Sequence, residues 1–425
     1  MAASYLRRGM QAPATFSLYV RSLPPERGFL VAAGLESCLD WLEQFSFEEA
    51  EMAYLASIGF DDAGLEAFED LRFNGDVWAV PEGTIVYANE PLMEVTAPIA
   101  AAQLAETYLL NQITTHTTLA SKAARYRVAA AGRDLVDFTF RRTQGVEAAM
   151  AAARASAIAG FTATSNVEAA RRLGLRAAGT MAHSYIEAFP SEVEAFRAFA
   201  EDLPDRTAFL VDTYETLGGV QAAIEVISEL GIGDTSGIRL DSGDLDGLSR
   251  AARALLDDAG LTRARIFASG GLDESKVARL VTAGAPIDAF GIGTELGVSY
   301  DAPCLESVYK LVRYDGRPVV KLSTGKQTLP GEKQIFRRAD GDVIGLREED
   351  LPGQRLLVPV MSAGMRTGPS GTIEDARARF DRDLAQLSPD ALALDASRAP
   401  VATVSAALIM QADEATAAAL GRTLS

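Results

Sequence analysis

From residue 135 to 293 the chain repeats one texture: a short apolar run, a polar or glycine-rich end, then an Ala-rich stretch with helical periodicity. The runs are "LVDFTF" (135–140), "GFTAT" (160–164), "RAAGTMA" (176–182), "TAFLVDT" (207–213), "GIRLDS" (237–242), "ARIFASG" (264–270) and "IDAFGIG" (287–293), with "VYKLV" (308–312) as a further candidate. Between them lie helical stretches such as "EAAMAAARASAIAG", "YETLGGVQAAIEVISEL" and "LDGLSRAARALLDDAG". Parallel strands need a crossover long enough for a helix, so this alternation predicts a parallel sheet with helices outside it. Seven or eight such units in about 180 residues favour an irregular (β/α) barrel over an open sheet.

The flanks read differently. "ATFSLYVRSLPP" is extended, and 27–45 carries apolar residues at helical spacing. The segment 76–99 is a run of short strands broken by Pro-Glu-Gly and Asn-Glu-Pro, and 101–131 is one long amphipathic helix. After 313, "RPVVKLSTGKQTLPGEKQIFRRADGDVIGL" reads as hairpins suited to completing the N-terminal sheet, and the tail "ALIMQADEATAAALGRTL" is helical. The expected organisation is an α/β chain in three segments. A mixed α/β domain covers 1–125 and the barrel 126–315, while a hairpin-and-helix segment over 316–425 packs back on the first domain.

The formal net charge of −18 leaves no broad cationic surface, which argues against nucleic acid and anionic membranes as partners. A phosphate-bearing substrate must therefore be held by a local site. Two cysteines cannot build a disulfide framework, and neither zinc spacings nor a leader-like N-terminus nor a membrane-length apolar run is visible. The reading is a soluble cytoplasmic protein.

In a parallel barrel the chemistry sits where strands end. Those positions hold Arg141 and Arg142, Thr164 and Ser165, His183, Asp212, Arg239, Asp241 with Asp244, Ser269-Gly270-Gly271, and Gly291-Ile292-Gly293-Thr294. Arg, His and Asp converging on one rim suit a charged substrate. The two glycine turns end consecutive strands and can present backbone N–H groups to an anion, each ahead of a helix N-terminus. "FGIGTELG" lacks the dinucleotide-binding spacing, and no Walker loop or G-x-S-x-G elbow is present, so Ser184 is a poor nucleophile. Asp244 reads as the N-cap of the next helix, while Asp241 remains a candidate for Mg²⁺ or ribose hydroxyls. Of the two histidines, His183 stands at a strand end near Asp212 and reads as functional. His116, within "NQITTHTTLASK", reads as structural.

The segments "DFTFRRTQG", "GFTATSNV", "GTMAHSYIEAF", "LVDTYET", "IRLDSGDL", "ASGGLDE", "DAFGIGTEL" and "KLSTGKQTLPGEKQ" closely resemble, in order, the motifs of the nicotinate phosphoribosyltransferase family. The resemblance implies a barrel beside a mixed α/β domain, usually in a homodimer with active sites at the interface. It implies transfer of phosphoribose from 5-phosphoribosyl-1-pyrophosphate to nicotinate, a step of NAD salvage, coupled in ligase fashion to ATP hydrolysis through a transient phosphohistidine. His183 would be the phosphorylated residue and Asp212 its orienting partner. Arg141 and Arg239 would meet nicotinate and its carboxylate, with Phe138 under the ring. Ser165 stands where the related nicotinamide enzyme has an acidic residue, which favours the acid. Asp241 would contact ribose hydroxyls or Mg²⁺-pyrophosphate, and Ser269, Gly270, Gly271, Gly293 and Thr294 would cradle the 5′-phosphate.

Family members usually begin with a segment like Thr-Asp-Leu-Tyr, whose Tyr is expected to stack on nicotinate in the neighbouring subunit, and this chain starts at about the end of it. Without that stacking, nicotinate affinity is expected to fall about tenfold to a hundredfold. The alternative readings are a phosphoribosyltransferase for nicotinamide or quinolinate, and a non-catalytic relative that lacks the Tyr segment.

Overall fold

The computed structural model describes residues 1–204, 207–395 and 397–423. It divides into two compact units, one of residues 119–303 and one of residues 1–118 with 304–425. The boundary falls inside the long helix Ile99–Ala130.

The 119–303 unit is built on a curled sheet of six parallel strands. Their order is Ala163–Thr164, Asp134–Asp137, Ala289–Ile292, Arg265–Ala268, Gly237–Leu240 and Ala208–Leu210. A parallel bridge from Thr164 to Ala177 extends it by one position. Every residue of Ala289–Ile292 is buried, as expected of a strand covered on both faces. The surrounding helices bury small side chains: Val146–Ile158 covers Ala149, Ala151, Ala152, Ala153 and Ala155, which lets it lie close to the sheet. Among the described residues no ladder joins Ala177 to Ala208–Leu210, so the strand expected at 176–182 contributes one bridge. Ala177, Ala178 and Gly179 carry little side chain to pack as a strand.

The other unit holds a seven-stranded sheet in the order Arg317–Pro318, Ser307–Tyr314, Pro13–Val20, Pro91–Pro98, Asp76–Ala79, Val358–Ser362 and Met365–Arg366. Three expectations are corrected here. "VYKLV" is no parallel barrel strand: Ser307–Tyr314 pairs antiparallel with Pro13–Val20, having no crossover helix behind it. The helix expected over 27–45 starts only at Leu35, because Leu30–Val31 pairs antiparallel with Ile85–Val86 and Gly34, at φ 97°, turns the chain into the helix. Residues 29–35 are all buried, so their apolar run carries no face-to-face contrast to tell strand from helix. Of the expected hairpins only Arg317–Pro318 joins this sheet. Lys333–Arg337 and Val343–Leu346 pair with each other in a separate four-stranded sheet with Gln354–Arg355 and Thr403–Val404. The tail forms helix Ala406–Thr423. Among the described residues no helix is long and apolar enough to cross a membrane.

Candidate active site

The candidate residues gather where the parallel strands end. Strand Asp134–Asp137 stops at a buried carboxylate that pins two loops at once. Asp137 accepts from the Thr139 amide at 2.8 Å and from the Thr164 hydroxyl at 2.7 Å, while the Ser165 amide donates to its carbonyl at 2.8 Å. Burial raises the Asp137 carboxyl above its ordinary range, and the Thr139 and Thr164 hydrogen bonds oppose that shift. Phe138 and Ser165 are thereby set side by side on neighbouring strand ends.

The Phe138 ring lies 5.7 Å from that of Phe267. Gly291 makes room for both, since a Cβ there would sit 2.8 Å from each ring. The Arg239 guanidinium stands over Phe138 at 5.4 Å from the centroid, the geometry of a cation–π contact. Arg239 donates from Nε to Ser269 Oγ at 2.8 Å, from Nη1 to Thr180 Oγ1 at 2.7 Å and from Nη2 to Asp241 Oδ1 at 2.5 Å. Three of the five guanidinium donors are used, leaving two for a ligand.

Asp241 Oδ1 also accepts from Ser269 Oγ, and the Asp241 amide donates to Asp212 Oδ2 at 3.0 Å. Burial alone would raise the Asp241 carboxyl. The Ser269 hydrogen bond, the Arg239 guanidinium and the charge of nearby His183 together hold it below the usual carboxylate range, so it is ionised at neutral pH. Asp212 Oδ2 accepts from Ser242 Oγ at 2.6 Å as well, whereas Asp212 Oδ1 is buried and has no hydrogen-bond partner among the described residues. These hard oxygens suit Mg²⁺. Among the described residues no group of three or more His, Cys, Asp and Glu side chains forms a metal cage.

His183 is the first residue of the short helix His183–Glu187 and is partly exposed. Its Nδ1 meets Thr213 Oγ1 at 3.1 Å, one residue beyond the Asp212 carboxylate that the sequence nominated as its partner. The two side chains alternate about a strand end, and the hydroxyl points to the ring. His116 is buried in the long helix of the other unit.

The glycine turns differ in tightness. Gly270 has φ +90°, and a Cβ on it would lie 1.7 Å from the Asp241 carbonyl oxygen. Gly271 has φ +57° with open space around it, and Gly293 precedes helix Thr294–Gly297 with Thr294 exposed. Arg141 lies in the turn Phe140–Arg142, is exposed, and makes no hydrogen bond or ion pair among the described residues. Asp244 does occupy the N-cap of Leu245–Asp258, but its side chain caps no amide. A cavity of about 410 Å³ lies along the concave face of the sheet, with Val136, Phe138, Thr180, Ile238 and Phe267 among its walls. Its other walls come from the strand starts, among them Asp134, Thr207, Ser236 and Arg265, and His183 and Asp241 do not line it.

Several partners were not singled out in the sequence. Phe267 and Gly291 were readable in principle, because strand alternation puts them on the face that carries Phe138 and Arg239. Asp137 sat inside an apolar run. Thr180 and Thr213 carry no signal, since only the fold brings hydroxyls 59 and 30 residues away in sequence to Arg239 and His183.

The chain matches the model of the nicotinate phosphoribosyltransferase N-terminal domain over residues 1–114 and that of the nicotinate phosphoribosyltransferase family over residues 134–338. It is 48% identical to a nicotinate phosphoribosyltransferase of Mycobacterium tuberculosis, over 93% of this chain and 87% of that one. It is 42% identical to the nicotinate phosphoribosyltransferase of Bacillus subtilis, over 84% of this chain and 76% of that one. The crystal structure of human nicotinic acid phosphoribosyltransferase superposes with a TM-score of 0.84 at 28% identity, covering 97% of this chain and 98% of that chain. With both family models matched and identity sustained over most of its length, the chain belongs to the nicotinate phosphoribosyltransferase family.

Proposed function

We propose that this protein is a nicotinate phosphoribosyltransferase of NAD salvage, joining nicotinate to 5-phosphoribosyl-1-pyrophosphate with release of pyrophosphate. The observation that carries the reading is Arg239. It lies against Phe138 with two donors uncommitted, beside an ionised Asp241 and a glycine turn. A flat anionic ring fits between an aromatic face and a guanidinium, which can bind its carboxylate in bidentate fashion. Arg141, exposed just beyond the strand end that carries Phe138, is a second cation for that carboxylate, and Ser165 offers a neutral hydroxyl where an acid would repel it.

Loss of pyrophosphate builds positive charge on the ribose, so carboxylate charge at Asp241 favours the transition state. The pyridine nitrogen is the nucleophile and needs no base. Gly270, Gly271, Gly293 and Thr294 offer amides and a hydroxyl to the 5′-phosphate, whereas Ser269, whose amide donates to the Leu240 carbonyl and whose hydroxyl donates to Asp241, holds the turn in place rather than contacting the phosphate. Asp212 and Asp241 would hold Mg²⁺ through water and pyrophosphate, and the ion would supply positive charge to neutralise the leaving group.

ATP coupling runs through His183. In the tautomer whose Nδ1–H donates to Thr213 Oγ1, the Nε2 lone pair is the one that attacks the γ-phosphorus of ATP, displacing ADP and forming phosphohistidine. The parallel strands would act as an irregular barrel and the whole as a cytoplasmic homodimer with shared active sites. The family resemblance supports both.

Purified protein given Mg²⁺ and ATP labelled on the γ-phosphate is expected to acquire acid-labile label, and His183→Ala is expected to lose it while His116→Ala retains it. Equal label in both variants would refute the assignment. Competition between nicotinate and nicotinamide, read by product mass, is expected to give the acid product in large excess.

A further inference from the structure

The segments that follow the two glycine turns are joined by a buried ammonium. Lys122 lies in the part of helix Ile99–Ala130 that belongs to the 119–303 unit. Its Nζ donates to Glu274 Oε1 at 2.9 Å and to Oε2 at 2.7 Å, and stands 2.9 Å from Asp301 Oδ1. The side-chain exposures are 3% for Lys122, 5% for Glu274 and 13% for Asp301. Glu274 opens the helix that leaves the Ser269-Gly270-Gly271 turn. Asp301 follows the short helix Thr294–Gly297 that leaves Gly293. Arg125 adds a second cation on Glu274 at 2.6 Å, and the Tyr126 hydroxyl donates to the Leu272 carbonyl at 3.0 Å.

The sheet couples these two turns poorly. Strands Arg265–Ala268 and Ala289–Ile292 share only the pairs Phe267 with Ala289 and Ala268 with Phe290, whereas each shares four pairs with its other neighbour. The common ladder therefore stops at Ala268, before either turn begins. An ammonium has three donors on one compact head, and here they reach two carboxylates that arrive from different loops. Buried ion pairs contribute little net stability after desolvation, so charges at this depth are better explained by the geometry they impose.

We propose that Lys122 is a positioning residue: a buried tie that sets the Gly270-Gly271 turn at a fixed distance from the Gly293-Thr294 turn, and so fits the cup between them to the 5′-phosphate of the phosphoribosyl donor. Its three donors are spent on carboxylates, so it acts on the phosphate only through the loops. The inference rests on the reading of those turns as the phosphate cup. Anion sites need their donors held to about half an ångström, which two loosely coupled loops do not provide.

The test compares wild type with Lys122→Met, Asp301→Asn, the double variant and Thr294→Val. The readouts are KM for 5-phosphoribosyl-1-pyrophosphate, KM for nicotinate, binding of ribose 5-phosphate, and thermal unfolding. Lys122→Met is expected to raise the donor KM about tenfold to a hundredfold and to weaken ribose 5-phosphate equally, with the nicotinate KM within about twofold. Asp301→Asn should shift the same quantities less, and the double variant should be no worse than Lys122→Met, because both cut one link. An unchanged donor KM, or equal shifts for both substrates, overturns the proposal. If Lys122→Met fails to fold, Asp301→Asn decides alone, since it leaves Lys122 and Arg125 on Glu274. Thr294→Val tests the cup itself. If it leaves donor KM and ribose 5-phosphate binding unchanged, the phosphate-cup reading fails. If it weakens both while the Lys122 and Asp301 variants do not, only the tie is wrong.

Discussion

Gly270 is the tightest contact of the candidate site, and replacing it with alanine incurs two costs, of which neighbouring Gly271 shares only one. A Cβ at Gly270 would sit 1.7 Å from the Asp241 carbonyl oxygen, and real contacts stay beyond 3.0 Å, so the turn and the Asp241 loop must part by more than an ångström. Asp241 holds Arg239 at 2.5 Å and Asp212 at 3.0 Å, and neither hydrogen bond survives a shift of that size. A displacement of about 1 Å costs about a hundredfold in rate, equivalent to about 2.7 kcal/mol of barrier. The positive φ of +90° adds a backbone term of about 1–2 kcal/mol in stability. At Gly271, with φ +57° and nothing within 4 Å, only the backbone term applies. Steady-state kinetics should therefore show Gly270→Ala losing about a hundredfold in kcat/KM for the phosphoribosyl donor, and Gly271→Ala only a few-fold. Thermal unfolding should show both destabilised, Gly270→Ala more. A Gly270→Ala enzyme within a few-fold of wild type, or equal losses in both variants, would refute the coupling of the turn to Asp241.

Arg239→Lys keeps the charge but replaces a planar fork with a single head that cannot serve Ser269, Thr180 and Asp241 together. The nicotinate KM is expected to rise about tenfold to a hundredfold in steady-state assays, and a variant that binds nicotinate normally would remove Arg239 from the carboxylate site. Asp241 has a depressed folded pKa, so its stabilisation is fully present above the unfolded carboxylate value near about 3.9 and is lost as pH falls through the folded value. Urea unfolding between about pH 5 and pH 2 should accordingly show a shallower acid loss in Asp241→Asn than in wild type; parallel curves would contradict the shift.

The strand ends were readable because parallel strands are short, apolar and punctuated. The boundaries of Gly237–Leu240, Arg265–Ala268 and Ala289–Ile292 fall inside the runs the sequence marks, and Asp134–Asp137 begins one residue ahead of its run. Polar residues at the ends of such runs have no apolar partner to explain them, so Arg239 and Asp241, in the last four residues of "GIRLDS", and His183, just after "RAAGTMA", stand out. Where burial was uniform the signal vanished. Residues 29–35 gave no contrast between faces, and 308–312 carried the same apolar character whether the strand was parallel or antiparallel. Asp137 and Lys122 were hidden for the opposite reason: a charge inside an apolar run reads as noise until its partners are in place.

Periodicity and punctuation by themselves determined the parallel sheet, the ends of its strands and the kinds of side chain standing there, because each is a property of neighbours along the chain. Tertiary structure alone decided that Thr213 rather than Asp212 meets His183, that Thr180 steadies Arg239, and that Lys122 stands between Glu274 and Asp301. Those pairings join residues from 30 to 179 positions apart, and a hydrogen bond depends on ångströms in space that no local pattern encodes.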